Sequence, residues 1–324
     1  MTALMKRARY GLLAPVIALA VMAPLAAASA STTSAVTLRG DWAAFTRCPV
    51  GNARMLAATG QAPNGSGSSA LCVAADSPSG SIKLGNTTAT TGDTNLQAGL
   101  AGSFSAGFSV VSPAGGAIVA APVDIPGGLL GLICPSSIPV ISAICQEIVN
   151  SPLNTVAAVV QPAGRPSHFN FGAGLTSGEP ILTLPVKVQL QNPILGSGCY
   201  IGSNSDPIVL KPENLVTPTV ATQRFDPNGT PDPSKGVLED VVATGEQGDN
   251  SFSVPGATGC GGTLLSAVID PILDLKEGLP SAAGNNSLVL DNSVTSIATY
   301  VNSAKVYPHE GKALKAAWHS AVLP

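Results

Sequence analysis

Ionisable side chains are what this chain has least of. Only 11% of its 324 residues are Asp, Glu, Lys or Arg, 4% are aromatic, and three are histidines. So few Lys and Arg residues leave no electrostatic footprint for a phosphate backbone, so nucleic acid is not an expected partner. Histidine is the commonest general base near neutral pH, and His168, His309 and His319 are the whole supply. The chain has no G-x-S-x-G nucleophile elbow. A zinc-protease pattern begins at His309-Glu310 and fails at Ala313. No C-x-x-C pair is present to suggest a metal. The sequence therefore assigns no catalytic residue, no cofactor and no metal ligand.

Long apolar runs are also missing beyond the N-terminus. The most apolar stretch, residues 115–160, is broken by Asp124, Pro126, Gly127, Gly128, Pro135, Pro139 and Glu147. Its runs fall well short of the roughly 18 apolar residues of a spanning helix. Core segments with a covered helix are the plain reading; a lipid-facing or ligand-lining surface is the other.

Residues 1–30 read as a secretory signal. Lys6, Arg7 and Arg9 supply the positive start, an apolar stretch runs from Gly11 to Leu25, and Ala28-Ser29-Ala30 supplies the small residues of a cleavage site. Two prolines interrupt the apolar stretch, which argues against an uncleaved anchor. Cleavage after Ala30 would leave 13 basic against 19 acidic residues, because the signal carries three positives and no negatives.

What the chain does have is small and apolar. Hydrophobic residues make up 45%, with 35 Gly and 27 Pro. Gly plus Pro is 62 of 324 residues, below the roughly 25–30% of a low-complexity chain, and mean hydropathy is +0.33. A folded body is expected. In a helix interior Gly costs about 1 kcal/mol and Pro about 3 relative to Ala, so short strands and turns fit better than long helices.

All six cysteines, at 48, 72, 134, 145, 199 and 260, follow the signal. An even count in an exported chain reads as a disulfide framework, with 15 possible connectivities. The expected pairing joins sequence neighbours: Cys48 with Cys72, Cys134 with Cys145, and Cys199 with Cys260.

Strand-like alternation is clearest in Ser103–Val110, where Phe104, Ala106, Phe108 and Val110 oppose small residues, and in Ile181–Gln191, where Leu182, Leu184, Val186, Val188 and Leu190 form the buried set. Pro185 marks that second segment as an edge or a bulge. Shorter candidates are 71–75, 81–84, 118–121, 168–171, 207–210, 251–254 and 287–290. Helical spacing appears near 138–160, where Ser137 is an available N-cap and Pro139 falls in the first turn, and near 263–277, where Pro271 should kink or split the helix. The tail 309–324 has Ala313, Leu314, Ala317 and Trp318 at helical spacing, either docked or surface-binding. The expected fold is mainly β: one antiparallel sandwich or barrel over residues 31–324, stapled by disulfides, with two or three short covering helices.

Several motifs fall short of a function. Gly256–Thr263 has P-loop spacing but places Gly262 where the phosphate-binding Lys must be. Asp226, Asn228 and Asp232 alternate with turn residues but lack the closing Glu of an EF-hand. Glu239 and Asp240 are adjacent and would point to opposite faces of a strand. Asn64, Asn86, Asn228 and Asn285 fit a glycosylation acceptor pattern.

The segments APVDIPGGLLGLICP, LPVKVQLQNPILGSGCYIGSNSDPIVL and GLPSAAGNNSLVLDNSV, with the earlier FTRCPVG and LCVAADSPSGSIKLGNTTAT, resemble uncharacterised secreted proteins of actinobacteria. The resemblance covers most of the chain after the signal and implies export and paired cysteines. It carries over no site residue. The expected role is that of an exported, extracellular or envelope-associated protein with a structural or binding function. The alternatives are a carrier of an apolar ligand such as a lipid, and a secreted hydrolase whose site is not visible in sequence.

Overall fold

Alternation of small and apolar side chains between Gly67 and Ser103 builds the spine of the molecule. The computed structural model describes residues 38–134, 137–149 and 151–321, all within one unit, Val36–Pro324. The signal at 1–30 lies outside the described residues. In chain order the first strands are β1 (Gly60–Gln61), β2 (Gly67–Ser77), β3 (Ser79–Leu84), β4 (Thr87–Thr91), β5 (Thr94–Ser103), β6 (Gly107–Val111), β7 (Ile118–Ala120) and β8 (Val123–Asp124). They are followed by β9 (Ala157–Pro162), β10 (Leu184–Gln191), β11 (Tyr200–Ile201), β12 (Ile208–Leu210) and β13 (Glu213–Asn214). The last are β14 (Thr219–Phe225), β15 (Leu238–Asp249), β16 (Ala257–Thr258) and β17 (Ser287–Tyr300). The helices are α1 (Ala53–Leu56), α2 (Gly128–Ile133), α3 (Pro139–Ile148), α4 (Gly262–Glu277) and α5 (Glu310–Ser320).

The strands form two antiparallel sheets. The larger runs β13-β15-β17-β2-β5-β6, with β3, β4, β7, β1 and β14 attached; the smaller runs β16-β11-β10-β9-β8, with β12 on β10. Ser69 faces Gly102, Ser77 faces Thr94 and Leu84 faces Thr87, all in one register. β2 with β3 is therefore one long strand, and β4 with β5 is its return around the turn Gly85-Asn86. Pro78, which has no N–H for the ladder, marks the break. β17 keeps its register across that break, with Val294 opposite Asp76 and Asp291 opposite Ser79.

Both faces of this spine are buried. Ala70, Cys72 and Ala74 share a core with Trp42, Phe45 and Met55 and with Leu314 and Trp318 of α5, while Leu71 and Val73 point the other way. The small residues let the terminal segments lie close to the sheet. The tail thus docks as a helix. The main core lies between the sheets, where Leu184, Val186, Val188 and Leu190 of β10 meet Leu288 of β17 and the buried sides of α2, α3 and α4. The chain crosses from the larger sheet to the smaller at Ala121-Pro122 and returns at Lys211-Pro212, and it makes a second excursion through β16 and α4, entering after Pro255 and leaving after Pro280. A proline fits each crossing, because ladder pairing must stop where the sheet changes.

Three disulfides join Cys48 to Cys72, Cys134 to Cys145 and Cys199 to Cys260, with Cα–Cα distances of 5.6, 6.0 and 4.1 Å. They tie the N-terminal turns to β2, the end of α2 to α3, and the loop after β10 to the start of α4.

Several segments differ from the sequence expectation. Ser103–Val110 is a hairpin loop and a strand: Phe104-Ser105-Ala106 is the three-residue turn between β5 and β6, and Phe104 is exposed. Gly107, at φ +83°, provides the left-handed residue such a loop requires, and alternation alone does not register it. β10 is an interior strand rather than an edge, paired with β9 on one side and with β11 and β12 on the other. Pro185 is tolerated because the β9 ladder begins one residue later, at Val186. Segment 168–171 is irregular, with His168 at φ +52°, and 251–254 makes only an isolated bridge from Val254 to Ser281. The helix near 138–160 stops at Ile148, its N-cap is Ile138 rather than Ser137, and β9 takes over from Ala157. α4 runs unsplit through Pro271, which is exposed, as is Ala267, whose carbonyl the proline leaves without a helical donor. Solvent can satisfy that carbonyl.

Candidate functional site

The side chains that face each other across the two sheets do not fill the space between them. A cavity of about 140 Å³ remains, walled by Val73, Leu96 and Leu288 from the larger sheet and Val160, Val186 and Val188 from the smaller. That is close to the roughly 150 Å³ of an apolar cavity that holds one benzene, so it has room for about six carbon-sized groups. The walls are branched aliphatic side chains because both faces of the sandwich alternate inward. Such a space is dry unless polar groups line it.

Polar side chains also reach it, Asp76, Ser77, Thr94 and Ser293 among them, and two clusters differ in kind. Gln247 donates from Nε2 to Asn214 Oδ1 at 3.1 Å and Thr295 Oγ1 at 3.3 Å. Asn214 in turn donates to the carbonyls of Ala173, Gly174 and Thr176. This cluster is satisfied internally and holds the turn at 173–176 against β13.

The second cluster is not satisfied. Glu277, the last residue of α4, is 6% exposed and lines the cavity, and its Oε2 has no hydrogen-bond partner among the described residues. Burial pushes its carboxyl above the usual carboxylate range, partly offset by a hydrogen bond from Thr87. Thr91, two side chains along the same face of β4 from Thr87, also lines the cavity and has a buried Oγ1 without a partner among the described residues. Four residues of strand separate Thr87 from Thr91 by about 13 Å.

The position of Glu277 is fixed from outside the cavity. Its carbonyl accepts from Asn86 N at 2.8 Å, and the carbonyl of Lys276 accepts from Asn86 Nδ2 at 2.9 Å, so the end of α4 rests on the β3–β4 turn. Gly85 sits there at φ +58°, and a Cβ at that position would lie 1.9 Å from the carbonyl oxygen of Glu277. Only glycine permits the approach.

The other residues considered from sequence do not converge. His168, His309 and His319 are all exposed, and the last two sit ten residues apart at α5. Ser167 Oγ lies 2.9 Å from His168 Nδ1, the nearest thing to a nucleophile and base, with no third group orienting the imidazole among the described residues. In Gly256–Thr263 the backbone N–H groups of Gly259 and Cys260 donate to Asp270 at 3.0 and 2.8 Å, and Ala257 N donates to Asp274 at 2.7 Å. The helix's own carboxylates occupy the place a phosphate would take. Burial, with the nearby charge of Asp270 adding to it, raises the Asp274 carboxyl, against the pull of the Ala257 bond. Asp226 accepts from the N–H groups of Asn228 and Thr230, and Asp232 from those of Ser234 and Lys235, so both are turn-forming. Glu239 pairs with Arg224 at 3.0 Å, while Asp240 is buried. Asn64, Asn86, Asn228 and Asn285 are all exposed.

Sequence reasoning missed Glu277. The apolar stripe of α4 runs through Leu265, Ile269 and Leu273, and the next step of four lands on Glu277. A charged residue there looks like the end of the stripe. In the structure it is the stripe's buried continuation. Comparison of the chain with protein-family models, with curated proteins and with solved structures gave no match.

Proposed function

We propose that this protein is a non-catalytic extracellular binding protein that holds a small apolar ligand between its two sheets. Three disulfides suggest an extracellular protein. Among the described residues no helix is long and apolar enough to cross a membrane. The observation that carries the reading is the cavity of about 140 Å³ walled by aliphatic side chains from both sheets. Small-ligand sites are concave, mostly apolar and supplied with few polar groups, which describes this one. Its size suits a single alkyl chain or one ring rather than a lipid with two chains. A cell-envelope component is the natural source of such a ligand for an exported protein.

Native mass spectrometry tests this. Protein recovered from culture supernatant, or incubated with a lipid extract, is expected to carry a bound mass on the order of 100 daltons that Ala89→Phe, which fills the cavity wall, removes. A spectrum that shows only bare protein after both treatments overturns the reading.

A further inference from the structure

Glu277 is an unusual residue for the place it occupies. A carboxyl at the last position of a helix faces the negative end of the helix dipole, which disfavours its ionised form. It is also 94% buried, it borders aliphatic walls, and one of its oxygens is without a partner among the described residues. Each of these opposes stability, and a buried polar atom left unsatisfied is ordinarily selected against. Costs of this kind are tolerated where a function needs the group.

The geometry surrounding it indicates the function. Thr87 stands beside the carboxyl, and Thr91, further along the same inner face of β4, offers a hydroxyl without a partner among the described residues. Ala89 lies between them on that face of β4, and most of the wall is aliphatic. A neutral carboxyl can both donate through its O–H and accept through its carbonyl oxygen, as a hydroxyl can. A ligand that is aliphatic for most of its length and ends in one such group satisfies Glu277 Oε2 while its chain fills the cavity.

Resting on the binding reading above, we infer that Glu277 is the head-group receptor of the cavity and that the ligand is a single-chain amphiphile with an uncharged hydroxyl head. A ligand carboxylate would bring a second negative charge beside a carboxyl in a low-dielectric space. An alkyl chain with no polar head would leave Oε2 as it is. An ammonium head would demand an ionised Glu277, which its surroundings oppose.

Displacement of an apolar fluorophore from the full chain after the signal, at pH 6, separates these cases. The competitors are 1-hexanol, hexanoate, hexylammonium and 1-chlorohexane. Hexanol is expected to bind at least tenfold more tightly than each of the others, and Glu277→Leu is expected to reduce that preference over 1-chlorohexane to within about twofold. Glu277→Gln, which keeps a donor and an acceptor in place, is expected to retain most of it, and serves if the Leu variant does not fold. Equal affinity for hexanol and 1-chlorohexane overturns the role of Glu277 and leaves the cavity reading standing. Tighter binding of hexanoate or hexylammonium overturns the assigned head group. No displacement by any of the four overturns the cavity reading itself, and the inference with it.

Discussion

Trp318 donates its indole N–H to the carbonyl oxygen of Phe45 at 2.8 Å, joining the last helix to the first turn across 273 residues of sequence. The bond is buried, and Phe45 is 1% exposed. The turn at Phe45 and helix α5 therefore close on one another over the spine formed by Ala70, Cys72 and Ala74, and that face of the sheet depends on both. Trp318→Phe keeps most of the ring contact and leaves the Phe45 carbonyl without its donor. The expected loss is about 1–3 kcal/mol, the usual consequence of a buried polar group left unpaired. Urea unfolding of the variant against the parent measures it. An unchanged midpoint would show that the indole bond contributes nothing to docking.

A pH-dependent contribution is expected from the same helix. Glu310, in the first turn of α5, is fully buried and accepts from Ala70 N at 3.1 Å and Ser69 Oγ at 3.3 Å. Burial pushes its carboxyl up to about 7 despite those bonds, and burial, with the Glu310 charge adding to it, raises the neighbouring Tyr300 phenol to about 12. A carboxyl raised in the folded state favours folding when protonated. That contribution is complete below about pH 4.5 and is lost as pH rises through about 7. The difference in pKa sets an upper bound of roughly 3 kcal/mol on the change. Glu310→Gln removes the titration and keeps an acceptor for Ala70. The stability of the parent relative to this variant should fall between pH 4.5 and 7.5. Parallel stability curves over that interval would refute the assignment.

The parts of the fold that could be read from sequence are those set by local chemistry. The buried set of β10 is visible because Leu184, Val186, Val188 and Leu190 alternate strictly with polar neighbours, as one-sided burial in the pleat demands. β2 was legible only over 71–75 of its Gly67–Ser77 span, because both of its faces are buried, one by Ala70, Cys72 and Ala74, so it reads as a run of small and apolar residues without alternation. β14 was missed for the opposite reason, since most of Thr219–Phe225 is exposed and polar or small. The cavity is not legible at all from the chain, because it arises where side chains from strands more than a hundred residues apart, such as Val73 and Val186, fail to meet. Glu277 becomes informative only once that space is seen.

Asp270 organises the loop before α4, and its loss should be felt locally. Its two oxygens accept from the N–H groups of Gly259 and Cys260, neither of which has another acceptor in the helix. Asp270→Ala strands both donors and is expected to cost about 2 kcal/mol, while Asp270→Asn keeps one acceptor oxygen and should cost less. Hydrogen exchange at Gly259 and Cys260 should accelerate in the Ala variant before any change appears in β10. Unaltered protection there would mean the loop is held by the Cys199–Cys260 bridge alone.

The three disulfides should contribute unequally, and in an order the sequence separations set. Cys199–Cys260 spans 61 residues, Cys48–Cys72 spans 24 and Cys134–Cys145 spans 11. Loop-closure entropy in the unfolded chain then gives about 4, 3.5 and 3 kcal/mol in that order. Access runs the other way. Cys199 and Cys260 are fully buried in the core between the sheets, whereas Cys134 and Cys145 are only partly covered. Thiolate attack requires approach to a sulfur, so graded reduction should open Cys134–Cys145 first and Cys199–Cys260 last. Alkylation at increasing reductant concentration, followed by peptide mass mapping, reads the order directly. Paired Cys→Ser substitutions with urea unfolding read the energies. If the 134–145 pair proved both the last to reduce and the most destabilising to remove, neither chain entropy nor burial would govern these bridges.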